Sequence, residues 1–202
     1  GQPLVIASGT PAVPGHVVTE RDESSSGSPV AGRLANAQAA LGMAARGVRS
    51  AVVGLPRTVH GDGDRHGFIA RLVGIARDTG VSGYPGDGSN RWPAVHRFDA
   101  ARLFRLALES APAGARLHAI GDEGIPVRDI AGAIGRHLGL PVTAISPEKA
   151  VDHFGWVGFD PSNGISVSEA HVRIATGFDY HGAAPIRGSR YGGGSERLEV
   201  QL

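Results

Sequence analysis

The sequence contains no cysteine. That excludes a disulfide framework, a thiolate metal centre and a cysteine nucleophile, and it removes the usual clue to redox compartment. No charge of one sign dominates: 20 Lys and Arg face 19 Asp and Glu, a formal net charge of +1. Neither nucleic acid nor an anionic membrane surface is therefore expected as a partner. No stretch approaches the roughly 18 uninterrupted apolar residues of a membrane span, and the N-terminus lacks a basic region followed by an apolar one. A cytoplasmic location is the default. Lysine is nearly absent, Lys149 being the single one among the basic residues. This arginine usage goes with GC-rich coding sequence and gives the expectation of a bacterial protein. No internal repeat is present.

What the chain has is length enough for one domain with a real core, at 202 residues. Its 31 glycines and 13 prolines fall below the share that signals disorder by composition, but predict many loops. Gly1 leads almost at once into an apolar run, which gives the expectation that the chain is a fragment of something longer. From Gly182 onward, five glycines accompany Arg187, Arg190, Glu196 and Arg197 with few large apolar residues. Residues 182–202 are thus expected to form a mobile tail behind a domain over 1–181.

Pro3 to Ala7 reads as a buried strand ended by Ser8-Gly9-Thr10. Residues 19–29, with serines at Ser24 to Ser26, read as a loop, and Ala31 to Arg46 as a helix with Gly47 at its C-cap. Val48 to Leu55 is the next strand, stopped by Pro56. Strand, helix, strand suggests a βαβ crossover in a parallel sheet. Further helices are predicted over Phe68 to Ala76, from a cap at Asp99 to Ser110, after Pro126 to a stop at Gly139, and over Pro147 to Phe154. Phe98, Ala101, Leu103, Phe104, Ala107 and Leu108 are the expected buried face of the second of these. Residues 81–95 are irregular with a short strand at either side, and Arg116 to Ile120 and Pro141 to Ile145 are strands.

His60-Gly61-Asp62-Gly63-Asp64-Arg65-His66-Gly67 invites three chemical readings. As a phosphate cradle it carries two repelling aspartates. As a calcium loop it has Val73 at the twelfth position, where a bidentate Glu is required. As a zinc site, His60 and His66 have no recognised ligand spacing. A solvated strand-to-helix turn is the expectation, and no metal is assigned. Ser8 lacks the G-x-S-x-G elbow, its near neighbours being Ile6 and Thr10, so a hydrolase is a distant alternative. His118 and His137 read as packing or surface residues.

Four stretches in order carry a family resemblance. Val5-Ile6-Ala7-Ser8-Gly9-Thr10, Ala51-Val52-Val53-Gly54-Leu55-Pro56-Arg57-Thr58-Val59-His60-Gly61, Val95-His96-Arg97-Phe98-Asp99-Ala100-Ala101 and Leu117-His118-Ala119-Ile120-Gly121-Asp122 resemble the C-terminal two-thirds of an extended or atypical short-chain dehydrogenase/reductase of the NAD-dependent epimerase/dehydratase type. The likeness covers about residues 3–160. It implies an α/β fold: a Rossmann-like parallel sheet, the C-terminal part of a doubly wound fold, with a small substrate-lobe portion to which the strand at Leu117 is assigned. It implies NAD or NADP as cofactor and a small-molecule, possibly nucleotide-linked, substrate. Ser8 would be the catalytic hydroxyl that donates to a substrate oxygen. Pro56, Thr58, Val59 and Arg33 would lie against the cofactor, and Thr10, Asn90, Arg91 and His96 toward the substrate.

The sequence departs from that family twice. Its Tyr-x-x-x-Lys pair is replaced, in the best alignment, by Pro29 and Arg33, while Tyr84, Tyr180, Tyr191 and Lys149 are all misplaced for the role. An arginine keeps positive charge near a ribose but cannot replace a phenol as acid and base. The glycine-rich turn that binds the pyrophosphate is absent too. The runner-up is therefore a non-catalytic remnant of the fold that binds a nucleotide, a metabolite or a protein partner. Without the first half of the sheet, the strand at Leu4 to Ala7 would keep an open apolar edge, so self-association is expected.

Overall fold

A computed structural model describes residues 2–11, 18–22 and 31–155. The expected tail at 182–202, Pro29, Tyr180 and Tyr191 lie outside the described residues. Three parallel strands form the central sheet, in the order β1 (Pro3–Gly9), β2 (Arg49–Leu55), β6 (Ala115–His118). β2 lies in the middle, and its interior residues from Ser50 to Gly54 are all buried. A strand covered on both faces needs such a continuous run of small and branched residues instead of alternation. Among the described strands β1 pairs with β2 alone, so it is an edge.

The connection between β1 and β2 contains α1 (Ala31–Gly42), which tightens into a 3₁₀ turn over Met43–Arg46 and stops at Gly47 with φ 78°. The helix expected to reach Arg46 is thus α-helical only to Gly42. Ala37 and Ala40 of α1 pack on Leu4, Ile6 and Val52, one face of the sheet. On the other face α3 (Arg97–Ser110) packs Ala100, Leu103 and Ala107 on Ala51, Val53 and Leu117.

Here the sequence reading needs correction. Phe98 and Leu108 remain 55% and 43% exposed, and Ala101 is exposed as well. Two stripes of apolar residues compete on α3, and the one with alanines wins because it lets the helix approach the sheet closely. Phe98 turns outward, its ring 5.3 Å from that of His96, with the Arg97 guanidinium 4.7 Å from its centroid. The N-cap is His96, whose Nδ1 accepts from the Phe98 N–H at 3.4 Å, and Asp99 sits inside the first turn. β6 likewise belongs to the central sheet, as the neighbour of β2, and not to the substrate lobe.

Two smaller sheets complete the fold. β3 (Thr58–His60) runs parallel to β5 (Arg91–His96), which pairs antiparallel with β7 (Asp122–Pro126). β4 (Ser82–Pro85) pairs in parallel with β8 (Val142–Ile145). α2 (Phe68–Thr79), α4 (Val127–Leu138) and α5 (Pro147–Phe154) bury a second core of Leu72, Val73, Trp92, Ile130, Ile134 and Phe154. The tight fit of α4 on β8 requires a glycine: a β-carbon at Gly135 would lie 2.5 Å from Val142 Cγ2 and 3.0 Å from the Leu140 carbonyl oxygen.

One arginine joins the sheet to α3. Arg49 Nη1 donates to the carbonyls of Ala111 (3.2 Å) and Ala107 (3.4 Å), and its Nη2 donates to that of Leu108. The Leu108 carbonyl is one of the acceptors left over in the last turn of α3, the Ala111 carbonyl lies just past it, and the Ala107 carbonyl is shared with the Ala111 N–H; a cation here is also favoured by the helix dipole. Arg49→Ala is expected to lower stability by about 1–2 kcal/mol, seen as a lower urea midpoint with an unchanged slope.

Candidate active site

The carboxyl ends of β1 and β2 meet at one rim. Ser8 is paired with Gly54 and Gly9 with Leu55, and the Thr10 N–H donates to the Leu55 carbonyl at 3.1 Å. Pro56 follows directly, and Thr58 opens β3 two residues later. Ser8, Thr10, Pro56 and Thr58 are thus brought to the same end of the sheet, which in open parallel sheets is the end that receives ligands. Ser8 and Thr58 are 4% and 1% exposed, and neither hydroxyl oxygen has a hydrogen-bond partner among the described residues. Buried hydroxyls usually have one, and the cost of leaving one unpaired is about 1–3 kcal/mol. Two orphaned hydroxyls at one rim suit a polar ligand that enters there. A dinucleotide's carboxamide and ribose groups fit that description, but a phosphate-binding glycine turn is not among these 202 residues.

Beyond the rim, β3 and β5 carry His60 and His96 as register partners, with the rings 5.7 Å apart and edge to face. Burial holds the His60 imidazole below its ordinary value, and the charge of His96 adds to this, while Asp64 and Asp99 oppose it. A cavity of about 420 Å³ opens here, lined by Val59, His60, Asp64, Arg65, His66 and Arg97 with the glycines between them. Gly61, at φ 142°, and Gly63, at φ 79°, are needed: β-carbons there would lie 2.7 Å from His96 Nε2 and 3.1 Å from Arg97 Nη1. Asp64 is turned to the backbone, its Oδ1 accepting from the N–H groups of His66 (3.1 Å) and Gly67 (2.8 Å) ahead of α2. It serves the helix entry.

Other expected site residues are not drawn together. Arg91 and His96 occupy opposite ends of β5, five residues apart, which is about 16 Å of strand. Asn90 accepts from the Val127 N–H through its carbonyl, and Arg91 Nη1 donates to the Gly124 carbonyl at 2.8 Å. Arg33 is exposed on the first turn of α1.

Sequence reasoning passed over two features of the rim. Arg57, whose guanidinium burial holds below its ordinary value, lies 5.1 Å from the Phe68 ring centroid and 5.3 Å from that of Trp92. His118 closes β6 beside Gly54 and is 5% exposed. Burial pushes its imidazole down to about 4, helped by Arg116 and opposed by Asp22. Glu20, raised by its own burial, is partly held down by its own main-chain N–H and that of His118. A glycine in the middle strand at the rim was the available signal for a large neighbour.

No protein-family model matches the sequence. Similar proteins include an uncharacterised protein of Schizosaccharomyces pombe, 52% identical over 117 residues, which are 58% of this chain and 39% of that protein. An uncharacterised protein of Saccharomyces cerevisiae is 41% identical over 157 residues, 77% of this chain and 52% of its own length. The chain therefore spans about half or less of these relatives. Both are from yeasts, so the arginine-rich usage gives no support to a bacterial origin. No described helix is long and apolar enough to cross a membrane. Among solved structures, a dTDP-glucose 4,6-dehydratase from Bacillus anthracis in complex with NAD superposes with TM-score 0.59 at 17% identity, over 76% of this chain and 55% of that one. The same enzyme type from Streptomyces venezuelae, with NAD and TYD bound, gives 0.59 at 19%, over 84% and 56%. A UDP-glucose 4-epimerase from Thermus thermophilus in complex with NAD gives 0.55 at 20%, over 90% and 65%. The fold is accordingly mixed α/β and Rossmann-like, shared with epimerases and dehydratases solved in complex with NAD, at low sequence identity.

Proposed function

We propose that this chain carries the nicotinamide-facing and substrate-facing side of an NAD(P)-dependent oxidoreductase of the epimerase/dehydratase type, acting on a nucleotide-linked small molecule. The observation that supports it most is the convergence of Ser8 and the Pro56 turn on one carboxyl-end rim, with two buried hydroxyls unpaired. When bound, the nicotinamide supplies hydride acceptance and donation. The chain's own residues do the rest. Ser8 donates a hydrogen bond to a substrate oxygen, Pro56, Thr58 and Val59 shape the wall against the cofactor ring, and Arg33 places positive charge near a ribose. Thr10 and His96 face the near part of the substrate, and Asn90 and Arg91 the far end of an extended one.

Among the described residues β1 is paired on one side only, and self-association through its other edge is the expected outcome.

The test is binding of NADH or NADPH to the protein that carries this chain, followed by cofactor fluorescence. Saturable binding is expected, with Arg33→Glu weakening it about tenfold, the equivalent of about 1.4 kcal/mol. Absence of binding at millimolar cofactor would sink the oxidoreductase reading in favour of a non-catalytic member of the fold.

A further inference from the structure

Ser8 on β1, Gly54 on β2 and His118 on β6 are register partners across the three parallel strands. Side chains at paired positions of a parallel sheet leave the same face, and successive residues alternate. Leu4, Ile6 and Val52, an even number of residues back, pack toward α1. The row formed by Ser8, Gly54 and His118 is therefore the continuation of the α1 face to the rim.

The middle member of that row has no side chain, and the His118 ring lies over it. A β-carbon on Gly54 would be 2.9 Å from His118 Cδ2 and 3.5 Å from His118 Nε2. The imidazole thus leans across β2 instead of standing upright on its own strand. Adjacent strands are about 4.8 Å apart, so ring atoms seated over β2 are within one strand spacing of β1 and its serine. Ser8 Oγ and His118 Nδ1 are both buried, and neither has a hydrogen-bond partner among the described residues. The ring edge over Gly54 is Cδ2–Nε2, so the unpartnered Nδ1 faces the other way. A half-turn of the ring about its Cβ–Cγ bond exchanges Nδ1 with Cδ2 and turns that nitrogen toward the Gly54 side and Ser8, which satisfies two buried polar groups at once.

We propose that His118 is a positioning residue for Ser8: across the bare face of Gly54 its imidazole hydrogen-bonds the Ser8 hydroxyl and fixes the direction in which that hydroxyl meets a substrate oxygen. The proposal rests on the reading of Ser8 as the substrate-facing hydroxyl, and it adds the group that aims it. The charged groups around the ring are Asp22, which favours its protonation, and Arg116, which opposes it. The Glu20 carboxylate also lies close, accepting from the His118 main-chain N–H. Burial outweighs the aspartate, so the ring is uncharged at neutral pH and has one donor and one acceptor nitrogen. Because burial disfavours the imidazolium, the ring is a weak base that accepts a hydrogen bond from the hydroxyl without taking its proton, and no proton-transfer step is assigned to His118.

The pairing is testable without cofactor or substrate. In the protein that carries this chain, labelled with ¹⁵N-histidine, the ring nitrogens of His118 are expected to show one dominant tautomer. Ser8→Ala should move these signals, and Ser8→Thr, which restores a hydroxyl, should return them close to wild type. Both variants change volume by one small group, so a response that follows the hydroxyl is not a packing effect. Gly54→Ala should displace the ring and abolish the response to Ser8→Ala. If the His118 ring signals ignore Ser8→Ala, the proposal is overturned, even where dinucleotide binds. If the coupling is present and no dinucleotide binds, the pair stands and only the oxidoreductase reading fails. Where Gly54→Ala does not fold, the comparison of alanine and threonine at position 8 decides alone.

Discussion

Replacing Trp92 by alanine is expected to remove about 3–5 kcal/mol of stability, the range for truncating a large buried aromatic. Trp92 is fully buried on β5 and belongs to the core shared with α2, α4 and α5. The Phe68 ring meets it edge to face at 5.9 Å, and the Arg57 guanidinium lies 5.3 Å from its centroid. The substitution thus leaves a cavity and also strips an aromatic face from a cation that burial already penalises. Trp92→Phe keeps an aromatic face and much of the volume, so its loss should be clearly smaller. The gap between the two variants, measured by urea denaturation followed by circular dichroism, reports the ring's share. A wild-type midpoint for Trp92→Ala would mean that this core does not unfold with the rest of the chain. Natural domains have about 5–15 kcal/mol in total, so the expected loss is a large part of the whole.

Helices with a sharp end were legible in the sequence, because their stop signals are local. Gly80 and Gly139 take φ of 73° and 66° at the C-termini of α2 and α4, where an L side chain would be strained. Pro147 at the start of α5 and the apolar spacing of α4 likewise need no tertiary information. The strand order was less accessible. β6 pairs with the second edge of β2, whose buried backbone groups need hydrogen-bond partners on both sides, and the four residues Ala115–His118 do not announce which sheet they enter. The face of α3 was misread for a related reason. Two apolar stripes were available, and the choice between them depends on how near the helix must lie to β1 and β2.

The candidate site was legible where chemistry and chain order coincide. Ser8 ends an apolar strand and Pro56 ends the next, so their meeting follows once β1 and β2 are parallel and adjacent. His118 reads in sequence as a packing or surface residue, because the stretch that contains it gives its side chain no role. Its position is set by Gly54, some sixty residues away, and by burial beneath the segment that carries Glu20 and Asp22. Asp64 shows the reverse case: a cluster of His and Asp looks chemical, and the fold forms the expected strand-to-helix turn, in which this carboxylate ties down two main-chain N–H groups. The separation of Arg91 from His96 was not legible, since it follows from both lying on one strand: Arg91 opens β5, where its guanidinium donates to the Gly124 carbonyl, and His96 closes it.

Acid should destabilise this protein through His118 more than through any other histidine among the described residues. In the unfolded chain the imidazole titrates near its ordinary value of 6.5, and in the fold burial holds it at about 4. Above pH 6.5 both states carry a neutral ring, and the group adds nothing to the pH dependence. As pH falls from 6.5 toward 4 the unfolded chain binds a proton that the folded one refuses, so stability declines through this window and levels off below it. The displacement corresponds to about 3 kcal/mol at its full extent. His60 and His153, also lowered mainly by burial, act in the same direction. Glu20 and Asp122, raised by burial, act in the opposite one, because their folded forms keep the proton longer. A single acid-unfolding curve mixes these contributions, whereas the stability difference between wild type and His118→Gln isolates the ring. Whatever gap the substitution opens at pH 7 should shift by about 3 kcal/mol in favour of the variant by pH 4. A gap that does not change with pH would mean that water reaches the imidazole in the folded state. The same desolvation that makes this histidine a liability in acid makes its imidazolium costly, so near neutrality the ring is a weak base that holds the Ser8 hydroxyl without deprotonating it.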